Sequence, residues 1–573
     1  MANFKQALRM GLKGVKLAVT KGPKTAWRLT REKTQRMQAC RQMAALHMIS
    51  DEERARQKSA QFANPVKISI LTPLYNTPEP FLRALIASLK AQTYPNWELC
   101  AADGSDDAHA YVGRICREEA EKDPRIVYSH LEENGGISDN TNACIRLASG
   151  AYFGLLDHDD ILHESALYEV MRAIEEKGAD FIYTDEVKFD GDVEKASDFN
   201  FKPGFGKDEL RSHNYICHFT CYSRALLEST GAWYRPAFDG SQDHDIVLRL
   251  TERARCIVHI PKVLYYWRVH EQSVSMDLST KQYAVDAAIH AVAEQLQRAG
   301  EKGQVRSNLP YQTIYRIRYE VDKELVSVLL YDAVSPEQAQ RCVDRLIQST
   351  AWRPLELVCY EQAAPERCPE GVALKPVSKQ ERLADSLEEM AQAAEGKYLC
   401  LFASALQPED EHWLEEMAML CQRPDVCAVG AKCYDESDNV LCAGLALDGD
   451  KPDLIAALCR GIHRDQQGFE AMLRYVRNVT ALDGACFLVK KQTWQALGGF
   501  HAAADGYETV EFCLAGVKQG LWNVWTPFAE CKLAEAPAAG PCRDAGAFLQ
   551  RWSKQAGEPD PYYHPNLKKL GLL

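Results

Sequence analysis

The sequence predicts an α/β protein in which one mostly parallel sheet domain occurs twice in tandem, behind a basic helical N-terminal segment. Three observations carry this. From Val66 onward, short β-rich runs alternate with runs of helical periodicity. Polar residues gather just past the ends of the β-rich runs, where open α/β sheets bind ligands. After Val326 a similar series of runs begins again in the same order.

The first segment, Met1 to about Phe62, reads as helical. Phe4, Leu8, Leu12, Val15 and Val19 recur at helical spacing, edged by Lys5, Arg9, Lys13 and Lys16. Residues 1–58 hold 14 Lys or Arg against 4 Asp or Glu, a local +10; the chain carries −13, so the remainder carries −23. An apolar stripe edged by cations suits the surface of an anionic bilayer, which would give a peripheral membrane contact. It suits packing on the body of the protein equally well. No nucleic-acid-binding motif accompanies the basic residues, so nucleic acid is not an expected partner.

At Val66 the pattern changes. "VKISILTPLYN" reads as a strand and "PEPFLRALIASLKAQ" as a helix. "NWELCAADGSDD" is a strand ending in an acidic turn, and "RIVYSHLEENGGI" a strand and loop. "SDNTNACIRLAS" is a helix, and "GAYFGLLDHDD" a fourth strand. The polar clusters fall at the strand ends: Tyr75 and Asn76, then Asp103, then Asn134 to Ser138, then Asp157 to Asp160. In the later half, "VSVLLYDAVSP" echoes "ISILTPLYNTP" and "TAWRPLELVCYEQ" echoes "QTYPNWELCAADG". "AAEGKYLCLFASALQPEDEHWLEEM" echoes "LASGAYFGLLDHDDILHESALYEV", with Tyr398 matching Tyr152. The expected division is an arm over 1–63, a first domain over 64–320 and a second over 321–573.

Composition agrees with a globular protein of several domains. A chain of 573 residues exceeds one core, and its 46% hydrophobic and 26% charged content is that of a soluble fold. No run of about 18 apolar residues suggests a membrane span, and Met1 to Thr20 lacks a signal-peptide pattern. The 20 cysteines are scattered, many in apolar segments, where a reduced cysteine packs as a small hydrophobe. The expectation is a cytoplasmic protein, peripheral on the inner membrane face if the arm binds lipid. Cys217-His218 with Cys221 lacks the second ligand pair of a structural zinc site.

The acids after the fourth strand carry the chemistry. Side chains two apart on a strand share a face, so Asp157 and Asp159 are expected to aim together while His158 turns aside. Two carboxylates at a sheet mouth suit Mg²⁺ or Mn²⁺, which bridges a diphosphate and offsets charge on a departing phosphate. "FDGSQDHDIVLRLTERA" places Asp243 in a first helical turn behind Ser241 as N-cap. A lone first-turn aspartate also simply favours the helix dipole.

Together "ISILTPLYN", "ADGSDD", "GGISDNTNACIRLASGAYFGLLDHDD" and "GSQDHDIVLRL" resemble the family 2 glycosyltransferases over about Val66 to Ser275, and most closely the bacterial surface-polysaccharide enzymes of rhamnan and O-antigen type. The resemblance implies the GT-A fold, Rossmann-like with a mostly parallel sheet. It implies a nucleotide-diphosphate sugar donor and a glycan or lipid-linked glycan acceptor. Asp157 and Asp159 would meet the metal and donor, Asp103 the nucleotide base, and Tyr75 would stack on that base. Asp243 would be the general base. The family usually has E-D here; this chain has Gln242-Asp243, and Asp245 is the fallback. His270 would join the metal. His213 and Asn214 lie in a segment resembling one near the acceptor.

The second copy departs from the pattern. Ala403, Ser404 and Ala405 stand where the acids are expected, Thr509 at the base position with Glu511 beyond it, and Leu533 at the histidine position. A catalytically inactive domain that holds glycan or braces the first is the expectation. A bifunctional two-site polymerase and a non-catalytic binding scaffold are the alternatives.

Overall fold

The structure, a computed structural model, describes residues 27, 30, 31, 34, 44–196, 198–270, 282–500, 505–536 and 543–571. The apolar stripe of the arm lies outside the described residues. The chain forms two compact units. The first comprises the residues up to Phe205, His213–Glu301 and Val305–Tyr315; the second comprises Gly206–Ser212, Lys302–Gln304 and Arg316–Leu573.

The first unit is built on a nine-stranded sheet: β1 Ile68–Leu74, β2 Trp97–Asp103, β3 Ile126–His130, β4 Tyr152–Leu155, β5 Ile161–Leu162, β6 Phe181–Phe189, β7 Asp198–Asn200, β8 Thr220–Ser223 and β9 Ile257–Arg268. Its order is β3-β2-β1-β4-β8-β6-β9-β5, with β7 on β6. β1 to β4 pair in parallel, β8 runs antiparallel to both β4 and β6, and β6 and β9 are parallel. Every residue of β1 and β2 is buried, as expected of strands covered on both faces. Ile70, Leu74, Leu85, Leu99, Ile115, Val170 and Ile182 belong to this core. Two short strands, β10 Gly303–Asn308 and β11 Tyr311–Tyr319, pair separately.

The second unit repeats the plan. Its main strands are β12 Val326–Leu330, β13 Leu355–Tyr360, β14 Ala373–Val377, β15 Tyr398–Phe402, β16 Leu406–Pro408, β17 Val426–Tyr434, β22 Cys486–Lys490 and β23 Trp522–Leu533. Their order, β14-β13-β12-β15-β22-β17-β23-β16, matches the first sheet strand for strand. The extra short strands are β18 Val440–Cys442, β19 Leu445–Leu447, β20 Ile455–Ala457 and β21 Arg477–Val479. The ladders place Tyr152 beside Ile68 and Tyr398 beside Val326.

A buried clamp recurs in both copies. Ser69 Oγ donates to Glu98 Oε1 at 2.6 Å, and Gly150 N donates to Ser69 Oγ at 2.9 Å. In the second copy Ser327 donates to Glu356, and Gly396 N donates to Ser327 Oγ at 2.8 Å. A Cβ on Gly150 or Gly396 would fall 2.5 or 2.4 Å from the serine oxygen, so only glycine fits at either position. Among the described residues no helix is long and apolar enough to cross a membrane, and the 18 described cysteines are all unpaired.

Candidate active site

The sheet of the first unit brings the sequence-predicted residues to one end. Tyr75 follows β1 and is 47% exposed, open to a flat ligand. The next residue, Asn76, sits at φ 49°, a left-handed conformation that asparagine tolerates. Its backbone N–H donates to Ser105 Oγ at 2.8 Å, and its side-chain amide donates to Asp106 at 3.0 Å. Asp103, at the end of β2, is only 2% exposed. Ser105 N donates to its Oδ1 at 2.9 Å and Tyr128 OH to its Oδ2 at 2.8 Å. Tyr128 was not singled out from the sequence.

The acids after β4 do not share one direction. The strand ends at Leu155, and Asp160 N donates to Asp157 O at 3.1 Å, so the backbone turns and strand alternation no longer applies. His158 Nδ1 lies 2.6 Å from Thr77 Oγ1. Asp159 Oδ2 faces His270 Nε2 at 2.8 Å, which brings those two expected residues together. Asp157 Oδ2 instead faces His218 Nε2 at 3.3 Å. Asp160, 1% exposed, accepts from Tyr265 OH at 2.6 Å and from Arg268 N at 2.7 Å. Burial and the neighbouring Asp159 and Asp157 push its carboxyl well above the usual range. This crowding of negative charge fits a divalent cation. Among the described residues the ligand atoms of Asp157, Asp160 and His218 lie within 4.8 Å of one another.

His218 opens a network that the sequence did not reveal. Its Nδ1 lies 3.3 Å from Glu186 Oε2 on β6, and the ring stacks on Tyr265 at 4.9 Å. Glu186 is paired with buried Lys202 at 3.1 Å and accepts from Asn200 Nδ2 at 3.0 Å. Burial alone would raise the Glu186 carboxyl, but Lys202 and His218 hold it below the usual range. Lys202 also donates to the backbone oxygens of Ile216 and His218.

Asp243 lies in the first turn of the helix Gln242–Thr251. Asn214 Nδ2 donates to its Oδ2 at 2.9 Å, the Cys217 thiol donates to the same oxygen at 3.2 Å, and His244 N donates to Oδ1 at 2.9 Å. Burial pushes the Cys217 thiol up to about 12, so it remains a donor. Ser241 stands at the N-cap position but makes no capping bond; its hydroxyl donates to Ala284 O at 2.7 Å. Asp245 is 1% exposed and ion-paired with Arg235 and, at 2.8 Å, with Arg249. Two guanidinium partners occupy it, whereas Asp243 has no Lys or Arg partner among the described residues. Asp245→Asn is expected to destabilise the first unit by about 3–5 kcal/mol by leaving buried arginine charge uncompensated. Urea unfolding checks this; an unchanged midpoint would remove the structural assignment of Asp245.

Matching the two ladders locates the second copy's counterparts. Ser223 and Lys490 pair with Tyr152 and Tyr398 respectively, which sets Ala485 at the place of His218 and Gly484 at that of Cys217. Glu186 pairs with Tyr265 and with Asn200, while Cys433 pairs with Cys531 and with Cys442. Thr509 lies beside Gly484, as Asp243 lies beside Cys217. The same register corrects the placement of Leu533. Ile161 pairs with Tyr266, and Gln407 with Lys532, so Leu533 matches Trp267, and the counterpart of His270 is Ala536. A cavity of about 20 Å³ lined by Cys433, Cys442, Gly444 and Cys486 remains there, no larger than a single water.

Residues 69–231 match the family described as glycosyl transferase family 2. The chain is 32% identical to an uncharacterised protein of Sinorhizobium fredii, over 87% of this chain and 57% of that one. It is 30% identical to the O-antigen biosynthesis protein RfbC of Myxococcus xanthus, over 90% of this chain and 41% of that protein. The chain thus spans about half the length of these curated relatives. A crystal structure of Staphylococcus aureus TarS 1-349 in complex with UDP-GlcNAc is similar at 20% identity, over 40% of this chain and 66% of that one, with a TM-score of 0.34.

Proposed function

We propose, from the family 2 glycosyl transferase domain at residues 69–231, that the first unit is an inverting, metal-dependent glycosyltransferase of cell-surface polysaccharide synthesis. It moves a sugar from a nucleotide-diphosphate donor to a glycan or lipid-linked glycan. The single observation that carries the reading is a chain of side-chain contacts. Asp243 touches Cys217, Cys217 Sγ lies 3.3 Å from His218 Nε2, and His218 touches Asp157. A base candidate and a donor-side carboxylate therefore stand two side chains apart.

In this reading Tyr75 offers its exposed ring to the nucleotide base, while Asp103, buried and with both oxygens taken by Ser105 N and Tyr128 OH, fixes the turn beside it in place of the base contact that the resemblance implies. The acceptor hydroxyl attacks C1 from the face opposite the diphosphate while Asp243 takes its proton. The C1–oxygen bond breaks, its electron pair leaves with the nucleoside diphosphate, and the sugar carbon inverts. Mg²⁺ or Mn²⁺, held by the carboxylates of Asp157 and Asp159 with the His270 imidazole beside Asp159, would neutralise the diphosphate.

A nucleotide-sugar panel read by release of nucleoside diphosphate, with cell-surface glycans as acceptors, tests the reading. Turnover is expected with at least one donor and should be lost in chelator, then restored by Mn²⁺ or Mg²⁺. Turnover unchanged in chelator would remove metal dependence. Nucleotide binding without any turnover would favour a scaffold.

A further inference from the structure

We infer that His218, braced by Glu186 and Lys202, is a positioning residue that holds Asp157 in the orientation needed to bind cation and diphosphate; this rests on the reading above. Both ring nitrogens face carboxylates at 3.3 Å, Asp157 on one side and Glu186 on the other. The ring has little freedom to leave that line. It stacks on Tyr265 at an interplanar angle of 9° and meets Trp267 edge-on at 5.0 Å. Glu186 is fixed in turn by the Lys202 ammonium and the Asn200 amide. Asp157 keeps 38% of its side-chain surface, whereas Glu186 keeps 2%. The network therefore runs from a buried anchor to one carboxylate that reaches the ligand. This is how outer partners fix a metal-site ligand, and loss of such partners weakens metal binding by about 10–100-fold.

The second copy supplies an independent observation. There Ala403 replaces Asp157. Ala485 stands for His218, Cys433 for Glu186, Cys442 for Asn200 and, two residues on, Gly444 for Lys202. The ladder itself is kept. Here small apolar and thiol side chains suffice, and only the copy with the reaching carboxylate keeps the brace.

The test uses the full chain. Mn²⁺ binding is titrated by calorimetry in the presence of UDP, GDP or dTDP, for wild type, His218→Gln, Asp157→Asn and the double variant, with circular dichroism to verify folding. The expected result is about 10–100-fold weaker Mn²⁺–nucleotide binding in His218→Gln, and no further loss when His218→Gln is added to Asp157→Asn. His218→Asn, shorter but still able to donate, should recover less than wild type and no more than His218→Gln. Full affinity in a folded His218→Gln, or additive losses in the double variant, would overturn the inference. If His218→Gln does not fold, Asn200→Ala, which loosens Glu186 alone, should weaken the same binding, and unchanged affinity there overturns it too. Absence of cation-dependent nucleotide binding in wild type would instead overturn the proposed function.

Discussion

Asp243→Asn is expected to lower turnover by roughly 10²–10⁴-fold, the usual worth of a positioned general base, while nucleotide–Mn²⁺ binding stays near wild type. The substitution keeps the size and one of the two acceptor oxygens but removes the ability to accept a proton. Its neighbours predict a folded variant. Asp243 is half-buried, and Asn214 Nδ2 and the Cys217 thiol meet its Oδ2. An asparagine oxygen can accept both, leaving only the His244 N–H without its acceptor. The comparison with Asp245 makes the experiment sharp. Asp245 holds two arginines and is spent on structure, so its loss should appear in the unfolding midpoint, whereas loss of Asp243 should appear in the rate. Near-normal turnover by Asp243→Asn, with Asp245→Asn folded and inactive, would exchange the two roles.

Much of the fold was legible because burial writes itself into sequence. The mostly apolar runs of β1 and β2, the helical periodicity between them and the repeat of the series after Val326 follow from strands covered on both faces. The site was legible only where the family resemblance supplied it. Asp243 lies in a first helical turn, as its segment predicts, and Asp159 lies beside His270. The common aim of Asp157 and Asp159 does not, because strand alternation stops at Leu155 and the turn at Asp160 takes over. Glu186, Lys202 and His218 were invisible for another reason. They are 16 and more residues apart in sequence and meet only across β6 and the segment before β8. No spacing rule marks such a network. The segment of His213 and Asn214, read as resembling one near the acceptor, and the Cys217-His218 pair, weighed for zinc, pointed to the right place without showing the network. The Ser241 hydroxyl is a similar case: the N-cap position was read correctly, and a distant carbonyl took the bond. The shift of Leu533 from the histidine position came from the ladder, which counts residues that an alignment by eye does not.

Arg423→Ala is expected to destabilise the second unit by about 3–5 kcal/mol, the cost of leaving a buried charge without its partner. Gly206–Ser212 is a seven-residue stretch drawn from the middle of the first unit's sequence, yet it belongs to the second unit. Its anchor is electrostatic. The Arg423 guanidinium grips both oxygens of Asp208, and each side chain is 3% exposed. Asn478 closes the site by donating to Asp208 Oδ2 at 2.9 Å and accepting from Asp208 N at 2.8 Å. Lys207 adds a pair with Asp425 at 2.8 Å. Burial pushes the Asp208 carboxyl up, but Arg423 more than offsets this and holds it below the usual range. The stabilisation it brings is therefore fully present above the unfolded value of about 3.9 and fades as pH falls through the lower folded value. The stretch ends at Ser212, and the chain passes through His213 directly to Asn214, whose amide holds Asp243. Releasing the anchor thus frees the backbone two residues from the Asn214–Asp243 hydrogen bond. Turnover by Arg423→Ala should fall at urea concentrations where wild type is still fully active, in step with loss of the second unit's tryptophan signal. Replacing both partners, Asp208→Leu with Arg423→Met, should recover part of the stability, since Asp425 keeps Lys207 and no charge is stranded, while the buried Asn478 amide loses its acceptor. If Arg423→Ala unfolds early while turnover persists to the wild-type midpoint, the second unit does not support the segment around Asn214 and Asp243.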